Sequence, residues 1–86
     1  MRKILKFSAS WCMPCKSLQK NIEALPKEFR DKIESYDIDE CDPKLVSKFS
    51  VRGVPTMILL NENNDILKRV SGSQTTKFVQ DLLTED

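Results

Sequence analysis

Apolar positions along this 86-residue chain follow two different rhythms. Four stretches are short and nearly continuous, as buried strands are: residues 3–8 (with Ile4, Leu5 and Phe7), Ile33 to Ile38, Val54 to Leu60, and Ile66 to Val70. Val54 to Leu60 is apolar on both faces, as a central strand should be. Between them the apolar residues recur every three or four positions. Cys15, Leu18, Ile22 and Leu25 make one face of a helix running from Cys12 to about Pro26. Pro43 opens a brief helix that turns Leu45, Val46 and Phe49 inward. Gly72 breaks the chain before a last helix with Phe78, Val79, Leu82 and Leu83 on its buried side. Lys27 to Asp31 reads as a polar connection, and Asn61 to Asp65 as the turn of a hairpin formed with Ile66 to Val70. The order β-α-β-α-β-β-α predicts an α/β fold: a four-stranded mixed sheet flanked by three helices. Its first units are expected to be parallel with a right-handed crossover, and its hairpin adds an antiparallel edge.

Composition narrows the class. The chain is long enough for one core, so residues 1–86 are read as a single domain. Apolar residues make up 40% and charged residues 31%, the balance of an ordinary globular protein. Fourteen basic against thirteen acidic residues give a net charge of +1, which points to neither nucleic acid nor an anionic membrane as partner. The basic, then apolar start is interrupted by Lys6 and is too short for a signal peptide, and no run reaches membrane-spanning length. A cytoplasmic monomer is the expectation. Histidine is absent, which excludes Cys–His nucleophilic pairs, His-ligated zinc and any imidazole base.

Chemistry concentrates in Trp11-Cys12-Met13-Pro14-Cys15-Lys16. This segment lies where the first strand should end and the first helix begin. A sulfur at a helix N-terminus faces unpaired N–H groups and the positive end of the dipole, which favour a thiolate. Cys12 is therefore the expected nucleophile, and Cys15, one turn on and expected to be the more buried, the resolving thiol. Together they form a redox-active Cys12–Cys15 disulfide. Lys16 lies close enough to tune the thiols. Met13 and Pro14, between the sulfurs, belong to the expected substrate-contacting surface. Pro14 also removes one N–H donor near the sulfur, which should favour a reducing couple. A structural metal would need two more ligands and only Cys41 remains, so neither metal nor cofactor is expected. Cys41 lies among Asp39, Glu40 and Asp42 and reads as a bystander. Val54-Pro55-Thr56 is the second signal: a proline opening an apolar strand is read either as a cis turn beside a distant site or as a plain trans one.

Taken together, Trp11-Cys12-x-Pro14-Cys15-Lys16 and the later Val51-Arg52-Gly53-Val54-Pro55-Thr56 resemble the thioredoxin family, and the match runs through nearly the whole chain. Asp37-Ile38-Asp39 and Gly72 also fall where that pattern expects them. The resemblance implies a minimal thioredoxin fold and a cis proline packed on the cysteines. It further implies a substrate groove walled by Val51 to Pro55, with Trp11 and Gly72 at its rim. It implies disulfide-containing protein substrates and a thioredoxin reductase-type flavoprotein as electron donor. A glutathione-recharged, glutaredoxin-like protein is the alternative, disfavoured by Gly53 before Val54-Pro55 and by the single Gly72. A non-catalytic binding subunit is the other. Two departures stand out. The chain is short, resembling the short thioredoxins of archaea and phages. And Lys6 occupies the position where the family usually buries an acid six residues before the first cysteine. Lys6 is read either as tuning the thiolates electrostatically or, the expectation adopted, as extending its ammonium to solvent.

Overall fold

The structure, a computed structural model, describes residues 2–84. The elements run β1 (Lys3–Ser8), α1 (Met13–Glu23), α2 (Lys27–Arg30), β2 (Ile33–Asp37), α3 (Pro43–Lys48), β3 (Thr56–Leu60), β4 (Ile66–Ser71) and α4 (Thr76–Thr84). They form one four-stranded mixed sheet in the order β2-β1-β3-β4. β1 pairs with β2 in parallel, and β3 is antiparallel to both β1 and β4. The parallel arrangement expected of the first units thus holds for one pair only.

Each strand's inward face follows from its alternation. Ile4 on β1 joins Met57 and Leu59 on β3, Val70 on β4, Leu18 and Ile22 on α1, and Val79, Leu82 and Leu83 on α4 in one apolar layer. The alternate residues Leu5, Phe7, Ile58 and Leu60 point to the other face, where they meet Phe49 at the end of α3. Strand β3 has neighbours on both edges and cover on both faces, so all five of its residues are buried. Edge strand β4 buries only Val70 and leaves Ile66 and Leu67 about half exposed.

Two boundaries differ from the sequence expectation. Val54 and Pro55 precede β3 instead of opening it. Lys27 to Arg30, read as a polar connection, is a helical turn, so four helices flank the sheet and not three. Pro26 sits at its N-cap, Glu28 lies favourably in its first turn, and its Phe29 packs against the larger apolar layer.

Candidate active site

Two segments of the site emerge from the same end of the sheet. Phe7 pairs with Thr56, so the chain leaving the C-terminal end of β1 and the chain entering β3 are neighbours. The first leads through Ala9 and Trp11 into α1. The second is the Val54-Pro55 turn. Ladder hydrogen bonds in the middle of the sheet therefore set their separation.

Cys12 is the N-cap of α1, with extended backbone angles (φ −94°, ψ 111°), and its Sγ accepts the N–H of Cys15 at 3.2 Å. Pro14 falls in the first turn, where the missing N–H would have had no partner inside the helix. The helix geometry places the two Cα atoms 5.2 Å apart, and the sulfurs are joined as a Cys12–Cys15 disulfide. Both cysteines are 5% exposed, so the expectation that Cys15 is the more buried does not hold for the oxidised pair. Ala9 shares the buried cluster with both cysteines, and Ile38 and Val54 pack against it.

Val54 is the side chain that physically links the second segment to the sulfurs. The Val54–Pro55 peptide is cis. Pro55 is buried, its carbonyl accepts the N–H of Gly72 at 3.0 Å, and Thr56 Oγ1 donates to the Gly53 carbonyl at 2.7 Å. Gly72 adopts a positive φ of 85°, a conformation glycine reaches without the steric cost other residues incur. Beside this turn lies a depression of about 300 Å³ lined by Arg52, Gly53, Val54, Pro55, Arg69 and Gly72. Trp11 is 65% exposed and Met13 69% exposed, both on the open side of the disulfide. The indole is not loose: its Nε1 donates to Asp39 Oδ2 at 2.9 Å. Asp39 thus fixes the indole, a role that the Asp37-Ile38-Asp39 pattern alone does not reveal. Lys16 is exposed on α1 next to Cys15.

Lys6 overturns the adopted reading. Its side chain is 4% exposed and donates to Oε1 of Gln19 on α1. Position 6 shares its strand face with Ile4, so α1 lies over it and the ammonium is held against the helix instead of extending freely into solvent. Burial lowers the lysine's pKa from its ordinary value, and the nearby Glu23 carboxylate partly offsets this. Among the described residues no cluster of three or more His, Cys, Asp or Glu side chains could hold a metal ion, and no helix is long and apolar enough to cross a membrane.

Comparison with known proteins bears on this geometry directly. The thioredoxin family model matches residues 2–85. The chain belongs to the thioredoxin family. It is 37% identical over 84 residues to a thioredoxin of Rickettsia typhi, covering 95% of this chain and 78% of that one. It is 38% identical over 64 residues to the chloroplastic thioredoxin X of Arabidopsis thaliana, covering 73% of this chain but only 35% of that protein's length. Among solved structures, thioredoxin-2 of a malaria parasite superposes with a TM-score of 0.82 at 27% identity, covering 100% of this chain and 84% of that one. Within the thioredoxin frame, Cys12 and Cys15 constitute a dithiol–disulfide couple.

Proposed function

We propose that this chain is a protein disulfide reductase of a reducing, cytoplasm-like compartment. In its dithiol form the Cys12 thiolate attacks one sulfur of a substrate disulfide. The Cys12–substrate bond forms, the substrate's S–S bond breaks, and the departing substrate sulfur takes up a proton. The Cys15 thiol then loses its proton and attacks Cys12 Sγ, forming the Cys12–Cys15 bond. The second substrate sulfur leaves and is protonated in turn, so the substrate gains two electrons from the protein's dithiol and two protons exchanged through solvent. A thioredoxin reductase-type flavoprotein, or failing that glutathione, returns them.

One observation carries this reading most: Cys12 Sγ occupies an N-cap, accepting the Cys15 N–H at 3.2 Å, where the helix dipole and N–H groups favour an anionic sulfur. Trp11, Met13 and Pro14 supply the exposed surface around the attacking sulfur. Val54, Pro55 and Gly72 line the adjoining wall, against which an extended substrate segment lies.

The test combines two substitutions with a titration. Cys15→Ser should leave a stable mixed disulfide on Cys12 when mixed with oxidised protein substrate, and Cys12→Ser should form none. Equilibration of the unmodified chain in graded dithiol/disulfide buffers, followed by Trp11 fluorescence, should give one two-electron transition near about −270 mV. Trapping on Cys15 instead of Cys12, or a potential higher by ~70 mV or more, would refute the reductase assignment. A double Cys→Ser chain that retains its cellular role would establish a scaffold in its place.

A further inference from the structure

Among the described residues Lys6 is the only charged side chain that is buried. Placing an ammonium on a central strand costs free energy unless partners meet it. Here the partner is Gln19, whose Nε2 in turn donates to Glu23 Oε2 at 3.3 Å. Cys15, Gln19 and Glu23 recur at intervals of four, so they form one row along α1. Lys6 is therefore held against the row that begins with a redox sulfur. The geometry goes further than adjacency. A depression of about 220 Å³ is lined by Lys6, Cys15, Gln19, Lys16, Ser8 and Asp37, so the lysine and the resolving cysteine border one solvent-connected space. Its charged groups are Lys6 from β1, Lys16 from α1 and Asp37 from β2. Glu23 stands one turn beyond Gln19, and β3 contributes the uncharged Met57 opposite Lys6.

We propose that the Lys6 ammonium, held by Gln19, is a positioning charge that stabilises the Cys15 thiolate in the step that releases reduced substrate. This rests on Cys15 being the resolving thiol. In that step the Cys15 proton passes to water in the depression. The thiolate attacks Cys12 Sγ, the Cys12–substrate bond breaks, and the electron pair leaves on the substrate sulfur. A fixed positive charge facing the depression raises the fraction of Cys15 ready to attack. The pKa of Lys6 itself is lowered by burial, and the Glu23 carboxylate partly offsets that lowering.

The test uses the full chain with Cys41→Ser, so that only the two site thiols react. Cys12 is loaded with 5-thio-2-nitrobenzoate, and release of the coloured thiol reports attack by Cys15. Replacing Lys6 with Met should shift the pH profile of release upward by about one unit. At neutral pH the thiolate fraction then falls about tenfold. The more basic thiolate is also the better nucleophile, so release slows only about threefold. The Cys15 Cβ chemical shift in the reduced chain should titrate with the same displacement. An unchanged profile would overturn the proposal. So would slowing by one factor at every pH, which marks a repacked site and not a lost charge. Lys6→Leu serves if the Met variant does not fold. Protein-disulfide reduction by the unsubstituted chain is measured alongside. Its absence, with the Lys6-dependent profile intact, would sink the reductase reading and leave the charge assignment standing.

Discussion

The buried lysine should make this protein less stable than it could be, and Lys6→Met measures by how much. The methionine side chain follows much the same path along the α1-facing side of β1 and ends without an ammonium. The substitution removes the desolvation cost of a charge in a site 4% exposed and leaves the stem's contacts nearly intact. Gln19 loses its donor but is only half-buried and borders the depression, so water replaces it. Exchanging a buried charge for an apolar group of similar volume gains about 1–2 kcal/mol in comparable settings. For 86 residues the unfolding entropy is about 0.18 kcal/mol/K, so Tm should rise by about 5–10 °C at pH 7. The pH dependence follows from the direction of the shift. The folded pKa of Lys6 lies below the ordinary 10.5, so the unfolded chain binds the proton more tightly. The penalty is fully present below the folded pKa and fades as pH rises toward 10.5. The advantage of the methionine variant must therefore shrink in alkaline buffer. Tyr36 also titrates there, with a pKa raised chiefly by its hydrogen bond to Glu34, but it does so in both proteins and cancels in the comparison. Thermal unfolding followed by circular dichroism at pH 7 and pH 10.5 decides the matter. A lower Tm for the variant, or an equal gain at both pH values, would refute the desolvation argument.

Three further outcomes are expected. Leu18→Ala empties a site of zero exposure between the sheet and α4 and should cost about 3 kcal/mol in denaturant unfolding, with the m-value unchanged. Gly72→Ala meets open space, since no atom lies within 4 Å of the added carbon. Its cost is therefore backbone strain at φ 85° alone, about 1 kcal/mol by the same measurement. Glu34 has a lowered pKa, first because the Tyr36 hydroxyl donates to it, so Tyr36→Phe should move its NMR titration up toward 4.5. That hydrogen bond's contribution to stability is present above 4.5 and is lost as pH falls through the lowered value.

Much of this molecule is legible from its residue pattern, and the exceptions have physical causes. The four strands announce themselves because each has an apolar face to bury, and β3 reads as central because it has two. α2 is not legible in the pattern because a single turn is too short to show periodicity. Its signals were the Pro26 cap and the lone Phe29, both weak alone. The cysteine motif, following an apolar strand, by itself places Cys12 at a helix start. How deeply each sulfur is covered is not written there, because the cover comes from Ala9, Ile38 and Val54 in three separate segments. Lys6 misled for a definite reason. A lysine inside a strand usually ends in water, and only the helix laid over its face, with Gln19 at the right turn, decides otherwise. Asp39 could have been found only by knowing that the chain after β2 returns beside Trp11.

The two segments of the site hang from adjacent ends of β1 and β3, strands that carry neighbours on both sides. Amide protons in Thr56–Leu60 should accordingly exchange only through global unfolding, the slowest class in the molecule. No cheap local opening then separates the sulfurs from the Val54-Pro55 wall. In the proposed exchange the protein is then a passive template, and the partner that presents a disulfide is the one expected to unfurl to lay that bond against it.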